Sequence, residues 1–307
     1  MTQDDHAGQQ AVTGGRPEAG GRPEAGGRSE AGGRPAGGGR PGTGRRTRAG
    51  GVWLRGALGV AVFLLLAEAL GRTGVVSPAV LPLTSTVLAR AAGLAGNPGF
   101  LTDLAATLQA WALGLALAVA VAVPAGVVLG SLPGVRAATR VIVEFLRPIP
   151  SVALIVLVGL ILGPGLRMNI TLIVYAAIWP VLFNTIYGLD DTDPMAKATL
   201  RAFGFGRVAV IRFASLPSAA PFIATGIRLA SSIAIILNIS TGYLTGRISG
   251  NGLGAFIAQA NTGSGNTALV LAAAFWTGVL GLVLNGVLLT AQRRLLPWHH
   301  ELTAEAM

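Results

Sequence analysis

The side chains that could do chemistry are sparse in this sequence, and their types exclude several kinds of active site. None of the 307 residues is a cysteine, which excludes disulfides, thiol nucleophiles and thiolate metal sites. The only lysine is Lys197, and no Gly-x-x-x-x-Gly-Lys-Ser/Thr loop surrounds it, so the chain has no ordinary site for ATP hydrolysis. The histidines His6, His299 and His300 lie outside the apolar runs and predict surface positions. We therefore predict no cofactor and no metal.

A second set of polar residues falls within long apolar runs, where a charged group in a bilayer is costly. Glu144 and Arg147 are three residues apart, which predicts an ion pair on one helix face. Further along the chain, four polar residues fall within an arc of about 120° on a helix and form one stripe. They are Arg228, Ser231, Ser232 and Asn238. The stripe fits either the wall of a translocation path or hydrogen bonding between helices, and both interpretations stay open.

The elements that must position these residues are membrane-spanning helices. Hydrophobic residues make up 52% of the chain and charged residues 12%, about half the ~25% that soluble domains carry. This composition excludes a soluble enzyme. Six charge-poor runs approach the ~20 residues that a helix needs to cross the hydrocarbon layer. They cover residues 53–70, 104–130, 141–162, 169–188, 217–241 and 268–292. We predict an all-α membrane protein of about six transmembrane helices, with Pro148 and Pro150 kinking or beginning the third.

The two ends of the chain are predicted to lie outside the membrane domain, which covers residues 51–298. Residues 1–50 include a repeat of Gly-Gly-Arg-Pro-Glu-Ala and are almost free of large apolar side chains, which predicts a disordered tail. A short C-terminal tail covers residues 299–307.

The basic residues predict the orientation of the chain in the plasma (inner) membrane. Short cytoplasmic loops carry an excess of Lys and Arg. With the tail in the cytoplasm, the inside segments hold Arg136, Arg140, Lys197, Arg201, Arg207, Arg212, Arg293 and Arg294, and the outside segments hold Arg72, Arg90, Arg167 and Arg247. Both termini are thus predicted to be cytoplasmic. The net charge of +10 is explained by topology, and we predict no binding to nucleic acid.

The longest inside connection, residues 189–216, has the composition of a short amphipathic helix. Asp193 followed by Pro194 is typical of a helix start, and Gly204 is typical of a helix end. A soluble partner could dock on such a helix.

Within this connection the residues match a known pattern. Ala198-Thr-Leu-Arg-Ala-Phe-Gly204 is followed, after nine residues, by Ala214-Ser-Leu216-Pro217. This resembles the cytoplasmic loop of ABC importer permeases, usually Glu-Ala-Ala, three residues, Gly, nine residues, Ile-x-Leu-Pro. The positions that match in register are Gly204, Leu216 and Pro217. The positions that depart are Ala198 for the glutamate, Thr199 and Leu200 for the alanines, and Ala214 for the isoleucine.

Other segments narrow the resemblance to the nitrate/sulfonate/taurine branch of these permeases. They are Arg147-Pro-Ile-Pro-Ser-Val-Ala-Leu-Ile155, Phe183-Asn-Thr-Ile-Tyr-Gly188, Gly226-Ile-Arg228 and Gly252-Leu-Gly254. With the loop, they cover about residues 53–298.

The resemblance implies a type I ABC importer permease fold and a transport subunit that is not itself an enzyme. Its implied partners are two copies of an ABC ATPase, an external solute-binding protein, a second copy of the chain and the lipid bilayer. The implied solute is small and anionic, such as nitrate, a sulfonate or taurine.

The implied ATPase-coupling residues are Ala198, Leu200, Arg201, Phe203, Gly204, Arg207, Leu216 and Pro217. Phe203 or Leu200 would be the apolar anchor and Gly204 would permit the tight turn. Arg201 and Arg207 would face acidic groups of the ATPase or lipid phosphates, or would serve only as inside-loop charge.

An alternative is a secondary carrier driven by an ion gradient. Such a carrier needs a carboxylate or an unwound ion site near mid-bilayer. The available residues, Glu68 and Glu144, lie near span ends, which disfavours the alternative. A membrane scaffold without transport would have neither a coupling loop nor a polar path.

Overall fold

A computed structural model of the protein describes residues 48–296, apart from residues 76, 78, 250, 264 and 265. Of the predicted tails, residues 1–47 and 299–307 lie outside the described residues. Residues 48–50, which were expected to be disordered, instead begin the first helix. The chain divides into units 1–54 and 55–307, and the described residues of the first unit are 48–54, at the start of that helix.

The described part of the chain contains helices and connections and no strand, which confirms the all-α prediction. The helices are α1 Arg48–Arg72, α2 Thr84–Leu94, α3 Pro98–Ser131, α4 Pro133–Leu146, α5 Leu154–Leu162, α6 Leu166–Asp190, α7 Pro194–Ala202, α8 Arg207–Val210, α9 Leu216–Ser249, α10 Leu253–Gly263 and α11 Thr267–Leu295. A single π-helical turn, Ile211–Ser215, joins α8 to α9.

Four of the predicted spans correspond to helices that are long and apolar enough to cross a membrane. They are Pro98–Ser131, Leu166–Asp190, Arg207–Gly246 and Thr267–Leu295. The third of these runs for 40 residues from α8 into α9, about 60 Å, so it must extend well beyond the hydrocarbon layer. The first predicted span falls within the 25-residue α1.

The third predicted span is not one continuous helix, and its interruption lies at the two prolines that the sequence predicts to kink or begin it. Residues 141–162 form the end of α4 and all of α5, with a break between Leu146 and Leu154. Pro148 and Pro150 have no N–H to continue the helical ladder. The Leu146 carbonyl accepts hydrogen bonds from the Ile149 N–H at 3.3 Å and from the Tyr175 hydroxyl of α6 at 2.7 Å. The two prolines therefore break the helix, and α6 stabilises the break.

The core lies where α3, α6 and α9 pack together, and glycines set how closely they approach. A Cβ added to Gly114 of α3 would lie 2.5 Å from Ile173 of α6, and one added to Gly126 would lie 2.6 Å from Thr185. The small-residue pattern of Gly126 and Gly130 thus packs against α6 as such patterns do in membranes. Between α6 and α9, a Cβ on Gly226 would lie 2.9 Å from the Pro180 carbonyl oxygen.

The helix α10 is not among the six predicted spans. Gly252, with φ of +115°, lies directly before α10, whereas Gly254 lies inside α10 against the Ile239 carbonyl. Asp103 accepts a hydrogen bond from the Gly252 N–H at 2.8 Å, and Thr107 accepts one from the Leu253 N–H at 2.9 Å. Side chains of α3 therefore satisfy the free N–H groups that precede α10.

Replacing Gly226 by alanine tests the close approach of α6 and α9. The new methyl group must displace backbone at Pro180, so we expect Gly226→Ala to lower stability by about 1–3 kcal/mol. Gly281→Ala on α11 is the matched control, because a Cβ there meets nothing within 4 Å. Thermal unfolding in detergent measures both variants. Equal melting temperatures for Gly226→Ala and the parent protein would contradict the packing described.

Candidate functional site

The helix α7 is defined at both ends by local hydrogen bonds, as the Asp193-Pro194 pair and Gly204 predict. The Asp193 carboxylate accepts a hydrogen bond from the Met195 N–H at 2.8 Å, and Pro194 occupies the first turn. At the other end, Gly204 has φ of +83°, a left-handed conformation that favours glycine. The Gly204 N–H donates to the Arg201 carbonyl and the Phe205 N–H to the Leu200 carbonyl, at 2.9 and 3.1 Å. This pair of bonds is a Schellman motif, which reverses the chain sharply.

The C-terminal end of α6 holds α7 in place. The Lys197 ammonium group donates a hydrogen bond to the Leu189 carbonyl of α6 at 2.9 Å. A cation is favourable at this position because the free carbonyls at a helix end carry partial negative charge. Lys197 therefore ties α7 to a membrane-spanning helix.

The two faces of α7 differ in burial. Lys197 and Leu200 are half-buried against the rest of the protein. The opposite face is exposed and carries Met195, Ala198, Thr199 and Ala202. Of the two expected anchors, Phe203 is 78% exposed, whereas Leu200 faces inward. Met195, at 71% exposed, was missed in the sequence because the motif does not include its position.

The segment after Gly204 runs without interruption into a membrane-spanning helix. Arg207 begins α8, which continues through the π turn into α9. Leu216 and Pro217 lie directly after the π turn and are exposed. Pro217 has no N–H and therefore cannot donate the usual helical hydrogen bond to the carbonyl four residues earlier. The π turn lies directly before Leu216 and Pro217, and the helix continues through it into α9.

The four residues of the predicted polar stripe contact different neighbours. Ser231 accepts a hydrogen bond from the Trp111 indole N–H at 3.1 Å, and the Asn238 amide donates to the Thr107 carbonyl at 3.0 Å. Both of these partners lie on α3. Arg228 instead donates to the Gln292 side chain of α11 at 3.4 Å. Only Ser232 is exposed.

The predicted ion pair between Glu144 and Arg147 is wrong. Glu144 pairs with Arg140 one turn earlier, at 2.7 Å. The Arg147 guanidinium group lies over the Phe183 ring of α6, 4.5 Å from its centroid, which is a cation–π contact. Arg147 is the C-cap residue of α4, and its contact with Phe183 takes the place of the expected ion pair.

The second carboxylate expected near a span end, that of Glu68, also has an ion pair and hydrogen bonds. It forms an ion pair with Arg72 at 2.8 Å and accepts hydrogen bonds from Ser85 of α2. Both of the carboxylates that an ion-driven carrier could use are thus held in structural contacts.

The sequence matches a family of transport components over the part of the chain that contains these features. The family model is described as a binding-protein-dependent transport system inner membrane component, and it matches residues 118–297. The matched region runs from α3 to the end of α11 and includes α7.

Individual relatives are similar over most of the chain. The taurine transport system permease protein TauC of Escherichia coli (strain K12) is 30% identical over 79% of this chain and 88% of that protein. The aliphatic sulfonates transport permease protein SsuC of Bacillus subtilis (strain 168) is 29% identical over 81% of this chain and 88% of that protein. The nitrate import permease protein NrtB of Leptolyngbya laminosa is 26% identical over 67% and 72%. The chain therefore belongs to the family of binding-protein-dependent transport system inner membrane components, and it is a multi-pass permease of an ABC importer.

Proposed function

We propose that this permease imports a small anionic solute, handed over by an external binding protein, and that a separate ATPase supplies the energy. The observation that carries the proposal is α7, an exposed helix tied to α6 and connected through one turn to α9. The solute class is supported by the relatives, which are named for taurine, aliphatic sulfonates and nitrate.

The docking surface for the ATPase is the outward face of α7, defined as Met195, Ala198, Thr199 and Ala202, together with Phe203. Met195 and Phe203 are large apolar side chains with little cover, 71% and 78% exposed, whereas small residues lie between them. A flat surface with protruding apolar anchors suits a groove on a soluble partner. Ala198 stands where the family pattern has glutamate, so this docking surface depends on apolar contact more than on charge.

The coupling path runs from α7 through the Gly204 turn into α8 and α9. A movement of the docked ATPase would shift α7 together with the end of α6, because Lys197 joins them. The Gly204 turn and the continuous helix from Arg207 would pass this shift to α9. The result would be a rigid-body switch between inward-open and outward-open arrangements.

Two copies of the chain would form the transport unit, since each copy supplies one docking helix and ABC ATPases act in pairs. Exposed apolar residues of α5 support a further helix contact in the membrane, either with lipid or with the second copy. Leu160 is 81% exposed, Ile161 71% and Val156 70%. The docking surface and both termini would lie in the cytoplasm, consistent with the basic residues near α7.

Some residues of the polar stripe would line the translocation path, and others would pack α9 against α3. Ser232 is exposed and would face the solute, with Arg228 beside it on the same helix. Ser231 and Asn238 would hold α9 against α3 through their hydrogen bonds to Trp111 and Thr107.

Uptake by the reconstituted importer tests the proposed function. In vesicles that contain the permease, the ATPase and the binding protein, we expect uptake of taurine, an alkanesulfonate or nitrate that requires hydrolysable ATP. Ionophores that collapse proton and sodium gradients should leave uptake unchanged. Uptake that persists without ATP and is lost with the ionophores would instead establish a secondary carrier.

Substitution of Gly204 tests the coupling path. A side chain at φ of +83° costs about 1–2 kcal/mol, so we expect Gly204→Val to displace the turn and to reduce both ATPase co-purification and solute-stimulated ATP hydrolysis about 5- to 30-fold. Gly204→Asn is the matched control, because asparagine tolerates the left-handed conformation best after glycine. Normal stimulation in Gly204→Val would remove the turn from the coupling path.

Substitutions in the polar stripe distinguish residues that line the translocation path from residues that pack α9 against α3. We expect Ser232→Leu to change the uptake kinetics with little effect on melting temperature. Asn238→Leu should lower stability by about 0.6–1.7 kcal/mol, the range for such interhelical bonds in membranes. Kinetic assays and thermal unfolding of the two variants measure this difference. If Ser232→Leu has normal kinetics, the path does not include Ser232.

A further inference from the structure

A cavity of about 350 Å³ lies on the inner side of α7, away from the docking surface. Its walls are the turn between α3 and α4 at residues 130–133, the end of α6, and the inward-facing parts of α7, α8 and the π turn. The polar side chains around it are Ser131, Lys197, Arg201, Arg207 and Ser215.

The charge in this cavity is entirely positive. Lys197, Arg201 and Arg207 line it, and no lining residue is acidic. Of the acidic residues nearby in sequence, Asp190 pairs with Arg136 at 2.9 Å and Asp193 caps α7. Within the described part of the chain, the guanidinium groups of Arg201 and Arg207 have neither a hydrogen bond nor an ion pair. Three cations are thus gathered without a counter-ion.

Two of these cations lie on the same side of α7. Lys197 and Arg201 are four residues apart, so they lie within about 40° of each other around the helix. Like charges at this spacing repel each other and destabilise a helix, and a bound anion would reduce the repulsion. Both residues lie on the side of α7 opposite the docking surface, where Lys197 is half-buried and Arg201 is exposed.

Hydrogen-bond donors complete the site. Ser215 is 5% exposed, and in the described structure its hydroxyl and that of Ser131 have no hydrogen-bond partner. The 14-residue helix α4 begins at Pro133, beside the cavity, without a side-chain cap. Its free N–H groups carry partial positive charge. Guanidinium groups, hydroxyls and an uncapped helix start together suit a phosphate group.

The position of the cavity indicates the source of the phosphate. α3 ends at Ser131 and α6 ends at Asp190, so the cavity lies where two membrane spans reach the headgroup layer. We propose that it binds the phosphate of an anionic membrane lipid, which would brace α7 against the turn between α3 and α4. The inference goes beyond the proposed function, and it requires neither the solute nor the ATPase.

Lipid binding by the purified full-length chain tests the proposal. The protein is placed in nanodiscs of dioleoylphosphatidylcholine with increasing dioleoylphosphatidylglycerol, and the bound anionic lipid is measured by native mass spectrometry. We expect the double variant Arg201→Gln/Arg207→Gln to bind phosphatidylglycerol about 30-fold more weakly, since each basic residue near a membrane contributes about fivefold. Arg201→Lys/Arg207→Lys keeps the charge and should retain most of the binding.

The matched control is Arg212→Gln/Arg294→Gln, which removes two exposed arginines that do not line the cavity. An equal loss of phosphatidylglycerol in this control would mean that surface charge alone attracts the lipid, and it would overturn the proposal. Greater thermal stabilisation by millimolar inorganic phosphate in lipid-free detergent than by phosphatidylglycerol would overturn the lipid as the source.

Binding of the ATPase by the same double variant is the last test of the lipid site. In nanodiscs of phosphatidylcholine alone, the Arg201→Gln/Arg207→Gln variant distinguishes the two contacts that the resemblance implies for these arginines, because a lipid site predicts retained ATPase binding and an ATPase contact predicts its loss. Loss of the ATPase in these neutral discs would assign the two arginines to the ATPase interface and overturn the lipid site. The Gly204→Val variant, which concerns the coupling path, is read independently of this result.

Discussion

The structure depends on the near contact of three helix backbones, α3, α6 and α9, at positions where only glycine fits. Apolar burial against lipid does little to bring membrane helices together, so close packing and interhelical hydrogen bonds must do so. Gly126 and Gly226 let α6 lie against both neighbours, and Ser231 and Asn238 then reach α3. Because α6 is fixed by these contacts, the Leu189 carbonyl at its end is a firm attachment point for α7 through Lys197.

This arrangement gives α7 two distinct surfaces for the two contacts proposed above. The outward face of α7 is apolar and exposed and is suited to a protein groove. The inward side gathers positive charge beside the ends of two spans and is suited to an anion at the membrane surface. In such a permease, one side of the nine-residue helix α7 would contact the ATPase and the opposite side would contact an anionic lipid.

Features that depend on local sequence could be predicted, and features that depend on neighbours could not. Four spans follow from long apolar runs, and the limits of α7 follow from Asp193, Pro194 and Gly204. The interruption of the third predicted span follows from Pro148 and Pro150, but the hydrogen bond from Tyr175 of α6 to the Leu146 carbonyl could not be predicted. Likewise, Glu144 could pair with Arg140 or Arg147 by spacing alone, and only the position of Phe183 decides between them. The partners of the polar stripe on α3 and α11 likewise depend on how the helices pack, which the sequence of α9 alone does not determine.

The π turn at Ile211–Ser215 has a consequence for how such permeases diverge. A π turn contains about one residue more than an α turn, so it takes up an extra residue without breaking the helix. Arg207–Gly246 accordingly runs as one helix of 40 residues through this turn. The segment between α7 and α9 can therefore gain or lose one residue at the π turn while α8 and α9 remain continuous.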